Sequence, residues 1–162
     1  MTQDIEPVDV RLALPEDRAS IIALTSNLHG ENGLFSISEA KVAAMIDRYY
    51  NRGLAVIAVI GEPGAVVAAI YLGIDQLSYT DDWALVEQFN FVDPEHRKST
   101  YARQLLAYAK AVSDKMRMPL LVGILTNHRT EAKVRLYEKM LSKAGAYFLY
   151  GLDYATADAW KR

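Results

Sequence analysis

The sequence predicts an α/β domain with the element order β-α-α-β-β-β-α-β-α-β, and three observations carry that expectation. Two β-rich runs flank Gly61-Glu62-Pro63-Gly64, a turn sequence that makes them an antiparallel hairpin. The run Trp83–Val92, a long helical stripe and the run Leu120–Leu125 form strand, crossover helix and strand, which implies a parallel pair with a right-handed connection. Elsewhere the apolar residues switch between alternate spacing and helical spacing.

Each element has its own local reason. Val8 to Ala13 alternates apolar and polar residues and reads as a half-buried strand. Pro15-Glu16-Asp17 opens the first helix, because proline suits the first turn and acids suit the positive end of the macrodipole. Ile21, Leu24 and Leu28 then share a face, and His29-Gly30-Glu31-Asn32-Gly33 reads as a loop. Ser36-x-x-Glu39 has the capping-box pattern. Val42, Met45, Ile46 and Tyr49 follow at helical spacing, and Gly53 marks the end of that helix. Leu54–Ile60 and Ala65–Ile74 are nearly all apolar, so the hairpin is expected to be buried on both faces. Asp75–Asp82 is a polar connector. Ala102, Leu105, Leu106, Ala109, Val112 and Met116 form the core stripe of the crossover helix. Leu120–Leu125 is apolar throughout and is expected to be central. The last helix is expected from Thr130 to Ala144, ended by Gly145. Tyr147–Leu152 reads as a final strand, and Tyr154–Arg162 as a tail or short helical end.

The totals narrow the functional classes. A length of 162 residues with 51% hydrophobic types fits one domain over residues 1–162 with a sizeable core. Eighteen basic against twenty acidic residues, a net charge of -2, argue against a nucleic-acid partner. The absence of cysteine removes disulfides, thiolate metal sites and a cysteine nucleophile. His29, His96 and His128 are scattered, with no metal-ligand spacing. The acidic, polar start is unlike a signal peptide, and no apolar run reaches the ~20 residues of a membrane helix. The expectation is a soluble cytoplasmic protein without a membrane partner.

The chemistry concentrates between Glu87 and Ala109. Asp93-Pro94 ends a strand, and Arg97-Lys98-Ser99-Thr100 precedes a helix. Cations at a helix N-terminus do nothing for helix stability. They make sense if an anion, above all a phosphate, occupies the turn. A solvated basic loop with Ser99 or Thr100 as N-cap is the other reading of these residues.

Val92-x-Pro94-x-x-Arg97-x-x-Thr100-x-Ala102-x-x-Leu105-Leu106 resembles the acetyl-CoA signature of the GNAT N-acetyltransferases, V-x-P-x-x-[RQ]-x-x-G-x-[GA]. Thr100 stands where the family has its first glycine, a residue that lets the backbone approach a phosphate. Asn127 and Leu136-Tyr137-Glu138-Lys139 resemble the family's second motif, N-x(n)-A-x-x-L-Y-x-K-x-G-[FA]. Lys133 replaces its alanine, and Gly145 falls about one helical turn late. Registering on Lys143-Ala144-Gly145 instead places Leu141 at the tyrosine position. The resemblance spans about Val10 to Tyr150 and implies the GNAT-like acyl-CoA N-acyltransferase fold: a mixed, mostly antiparallel sheet with helices on both faces.

The resemblance also implies a function, acetyl transfer from acetyl-CoA to a primary amine by direct attack in a ternary complex. Arg97, Lys98, Ser99, Thr100, Tyr101, Ala102 and Asn127 are the candidate residues for the coenzyme, with Asn90 and Val92 pairing with its pantetheine amides. Glu87 is the candidate base. A regular pleat puts it in a row with Trp83, Leu85, Phe89 and Phe91, where burial raises its pKa. A bulge, frequent on this strand in the family, turns it elsewhere. Tyr137 is the candidate acid for the departing thiolate, and a backbone N–H near Val92 the candidate oxyanion donor. The loop between the first two helices implies that His29 and Glu31 approach the acceptor. A non-catalytic acyl-CoA-binding or interaction protein is the alternative that Thr100 supports. Small amine, peptide N-terminus and lysine stay open as acceptors, and a homodimer is compatible with the family.

Overall fold

The computed structural model describes residues 9–125 and 130–155. The chain runs β1 (Arg11–Leu12), a 3-10 turn (Pro15–Asp17), α1 (Arg18–Asn32), α2 (Glu39–Tyr50), β2 (Ala55–Glu62), β3 (Ala65–Gln76) and β4 (Trp83–Val92). A second 3-10 turn (Pro94–His96) leads to α3 (Tyr101–Met116), β5 (Leu120–Leu121) and α4 (Thr130–Glu138). The strands form one sheet in the order β1-β2-β3-β4-β5, antiparallel throughout except for the parallel pair β4–β5.

Alternation along the hairpin builds two cores. Ile57 and Val59 face α1 and α2, where Ile21, Leu24, Leu28 and Ile46 are buried against them. Ala58 and Ile60 face the other way, toward Leu105 and Ala109 of α3. Helices therefore cover both faces, which explains why the two strands read as continuous apolar runs. The hairpin turns at Pro63-Gly64 with a bulge at Gly61, whose φ is 123°. A Cβ there would lie 2.6 Å from the Ala65 carbonyl oxygen, so only glycine fits.

Asp17 locks this end of the molecule. Its carboxylate accepts from Arg11 Nη1 at 2.6 Å and Nη2 at 3.1 Å, from the Leu14 N–H at 2.7 Å and from the Gly64 N–H at 2.8 Å. β1, the start of α1 and the hairpin turn thus meet on one fully buried group. Burial pushes the carboxyl up, but the Arg11 bond and the two amide donors outweigh it and hold Asp17 below the usual carboxylate range.

Several sequence expectations need correction. α1 continues through His29 and Gly30 to Asn32, and Gly33 closes it by donating to the His29 carbonyl at 2.7 Å. The helix tolerates Gly30 because its packed face, ending at Leu28, has already paid for its order. The cap of α2 is Ser38, not Ser36: its hydroxyl accepts from the Lys41 N–H at 3.4 Å. Gly53 does mark the end of α2, with Arg52 before it in the left-handed conformation at φ 57°.

β5 is not central. It lies at the end of the described sheet and pairs only as Leu85↔Leu120 and Val86↔Leu121. α4 stops at Glu138 rather than Ala144, closed by Met140 and Leu141 N–H donors to the Tyr137 carbonyl at 3.0 and 2.8 Å. Tyr147–Leu152 is not a strand: Tyr147, Phe148 and Tyr150 are exposed, and no ladder partner faces them among the described residues. β-type side chains make a strand only against a neighbour's edge. No described helix is long and apolar enough to cross a membrane.

Candidate active site

The site forms where β4 and β5 part. After two paired residues the ladder stops, and from Glu87 onward β4 pairs, among the described residues, with β3 alone. β4 also carries a bulge: Phe89 faces Tyr71 while Glu87 faces Leu72, leaving Gln88 as the extra residue. The bulge flips the parity of the strand. Phe89 and Phe91 pack toward α1 and α2, whereas Leu85 packs toward α3. Glu87 and Asn90 lie opposite Leu72 and Ile70, which belong to the α3 core, and so leave the aromatic row that a regular pleat would give.

On that side Glu87 meets Tyr137 of α4, whose hydroxyl donates to Oε2 at 3.2 Å. Glu87 is half-buried. Burial pushes it up to about 8, while the Tyr137 hydrogen bond and the nearby Lys133 charge pull it down. Burial, and then the Glu87 charge, push the Tyr137 phenol well above its ordinary range, with a hydrogen bond from Asn90 acting the other way. Asn90 Nδ2 also donates to the Ala102 carbonyl at 3.0 Å, tying β4 to the first turn of α3.

The basic loop is built as a helix entrance. The Asp93 side chain accepts from the Glu95 N–H at 3.0 Å, and the Ser99 N–H donates to His96 at 2.9 Å. Thr100 has φ −91° and ψ 12°, dihedrals that need no glycine. Its hydroxyl accepts from Gln104 Nε2 at 2.6 Å and keeps its own proton to donate.

Two clefts meet here. The first, about 350 Å³, lies at the start of α3 and is lined by Val92, Arg97, Ser99, Thr100 and Ala102 among others. The second, about 510 Å³, lies between β4 and the segment after β5 and contains Glu87 and His29. Asn90, Phe91, Lys133 and Tyr137 line both. Of the sequence candidates, Lys98 and Tyr101 line neither: Lys98 is exposed, and the Tyr101 ring stacks on His96 at 5.7 Å. Asn127 lies outside the described residues, and Glu31 falls in the last turn of α1. Leu141, the alternative to Tyr137, lies beyond the end of α4.

Sequence reasoning missed Arg103 and undervalued Lys133. Arg103, in the first turn of α3, lines the first cleft. It carries the same signal as Arg97, a cation where the helix dipole disfavours one. Lys133 stands four residues before Tyr137 and so shares its helix face.

No protein-family model and no curated sequence matches the chain. Solved structures do. A possible acetyltransferase from Clostridium difficile 630 is 20% identical with a TM-score of 0.69, covering 90% of this chain and 97% of its own. The ribosomal-protein-alanine N-acetyltransferase from Brucella melitensis biovar Abortus 2308 is 16% identical with a TM-score of 0.66, covering 90% and 99%. The chain has the GNAT acetyltransferase fold. A third GNAT-like neighbour is AAC(6')-Iy, crystallised with the bisubstrate analogue CoA-S-monomethyl-acetylneamine; it is 12% identical with a TM-score of 0.70, covering 90% and 98%.

The residues of the first cleft fit a coenzyme A. First-turn N–H groups of α3, with Arg97, Arg103 and the Thr100 hydroxyl, are donors of the kind that could hold phosphate oxygens. Asn90 Oδ1 is buried with no partner among the described residues, and an amide N–H entering the cleft would satisfy it. No cluster of three or more His, Asp or Glu side chains suited to a metal ion occurs among the described residues.

Proposed function

We propose that the protein is an acetyl-CoA-dependent N-acetyltransferase acting on a primary amine in a ternary complex. The observation that carries this is the junction of the two clefts at Asn90 and Tyr137, with Glu87 on the acceptor side. One cleft suits a phosphate-bearing coenzyme and the other an amine; Tyr137 stands in their shared wall and reaches Glu87 on the acceptor side. Much of the rate then comes from holding amine and thioester together.

Arg97, Arg103, Ser99, Thr100 and the N–H groups near Ala102 hold the phosphates, with Lys98 supplying charge from the rim. Asn90 and Val92 hold the pantetheine amides. Bound acetyl-CoA supplies the activated acyl group. The amine nitrogen attacks its carbonyl carbon, the C–N bond forms and the C–S bond breaks. Glu87 takes the amine proton, and a pKa near 8 suits an acceptor working at neutral pH. The developing oxyanion is met by a backbone N–H near Val92.

The 3.2 Å hydrogen bond couples Tyr137 to this transfer. Ionised Glu87 keeps the phenol a poor acid, both by its charge and by accepting the bond. Once Glu87 holds the amine proton, both effects weaken and Tyr137 becomes a better donor to the leaving thiolate. Proton capture at one end of the pair therefore promotes proton release at the other.

Calorimetric titration with acetyl-CoA, followed by a thiol-release assay over a panel of primary amines, tests this. Saturable binding is expected in the natural protein. Thr100→Gly should shift affinity by less than about tenfold, since the backbone here is unstrained and only one hydroxyl donor is lost. A folded protein that binds no acetyl-CoA in either form would overturn the proposal.

A further inference from the structure

Resting on that proposed function, the geometry points to the acceptor: we infer a small primary amine with a single positive charge, carried on an aliphatic or aromatic body. The second cleft carries the inference. Glu87 is the one carboxylate lining it among the described residues. Its other charged neighbour is Lys133, a cation close enough to lower the Glu87 pKa. Phe89 and Phe91 of β4 form one wall, and Leu121, Val122, Ile124 and Leu125 form the other. At about 510 Å³ the cleft holds a small organic molecule.

Those walls discriminate by charge. One ammonium finds Glu87. A second or third, as on a polyamine or an aminoglycoside, meets phenylalanine, branched aliphatic side chains and Lys133. An ammonium taken from water without a partner is strongly disfavoured. An apolar body gains from the same walls, because Leu121 and Leu125 are 38% and 55% exposed and would be covered by it. His29, Gln88, Asn90 and Tyr147, which also line the cleft, supply polar atoms without a fixed negative charge.

The test is a linear series of primary amines from propylamine to hexylamine, beside spermidine and kanamycin. It is read twice, as kcat/KM for acetyl transfer and as amine affinity by calorimetry without coenzyme. Affinity and kcat/KM should rise about fourfold per added methylene, and spermidine and kanamycin should fall below hexylamine by tenfold or more. Leu125→Asp, at an exposed position, should lose the chain-length dependence and gain on spermidine while keeping acetyl-CoA affinity. A flat series, or a preference for the polycations, in a protein that binds acetyl-CoA would overturn the inference and leave the transferase standing. A rising amine series in a protein that binds no acetyl-CoA would keep the inference and remove the transferase.

Discussion

Asp17 has no exposed surface and accepts four hydrogen bonds, from Arg11 twice and from the Leu14 and Gly64 amides; Glu87 is half-buried and accepts one among the described residues, from Tyr137. Burial pushes both carboxyls up. At Asp17 the donors win and the group stays charged, below its ordinary range. At Glu87 burial wins, and the group titrates at about 8. The more deeply buried of the two is the one that stays charged, so what surrounds the oxygens decides the outcome. A fully satisfied carboxylate is a cross-link; an under-satisfied one holds or releases a proton near neutral pH.

Breaking the satisfied one has the largest expected effect. Asp17→Asn leaves the Arg11 guanidinium without its counter-ion and disturbs the junction of β1, α1 and the hairpin turn. Loss of one partner of a buried pair costs about 3–5 kcal/mol. Urea unfolding should show that fall near pH 7. The Asp17 pKa is lowered on folding, so its stabilisation is present above the ordinary carboxylate pKa and is lost as pH falls through the folded value. The variant's stability should accordingly depend less on pH in the acid range than that of the natural protein. An unchanged urea midpoint would mean that Arg11 and the two amides find other partners.

The same contrast explains what could be read in advance. β4 was legible to the residue, Trp83–Val92, because its signals are local: a β-rich run stopped by Asp93-Pro94. The core stripe of α3 was legible for the same reason, through spacing; Glu87 and Tyr137 were each singled out, but the hydrogen bond between them was not foreseen. The bulge at Gln88 was not, since nothing in the residues there distinguishes a regular pleat from a shifted one, yet it decides which side Glu87 takes. The role of Asp17 was also hidden. Its sequence context suggested only a favourable charge at a helix start, whereas its partners come from Arg11 and from Gly64, 47 residues away. Leu120–Leu125 and Tyr147–Leu152 failed in the opposite direction: among the described residues the first is paired only at Leu120 and Leu121 and the second not at all. Local grammar identifies what a segment is able to become; the neighbour's edge decides whether it does.

Removing the under-satisfied carboxylate should have the reverse effect on stability and a large effect on rate. The Glu87 pKa is raised on folding, so its favourable contribution is complete below the ordinary value of about 4.5 and is lost as pH rises to about 8. Glu87→Gln keeps the shape and removes the charge. It should be more stable than the natural protein at pH 8 to 9, by on the order of 2 kcal/mol, with no gain at pH 4 to 5. Acetyl transfer should fall about 100-fold. In the natural protein kcat/KM should rise with pH as Glu87 ionises around 8, and that step should vanish in the variant. A variant that is faster or equally fast would make Glu87 a structural carboxylate like Asp17.

Tyr137→Phe sharpens the contrast with a smaller change, because it alters the donor and leaves the carboxylate in place. The ring still lines both clefts, so acetyl-CoA affinity should hold. Transfer should slow by about tenfold, through loss of the proton given to the leaving thiolate. The hydrogen bond from Tyr137 lowers the Glu87 pKa, so its removal should move the rise of kcat/KM to higher pH. That displacement separates a working pair from mere packing, since a phenylalanine that only loosened the cleft would slow the reaction at every pH alike. An unshifted profile with full activity would remove Tyr137 from the reaction and leave Glu87 to transfer its proton through solvent.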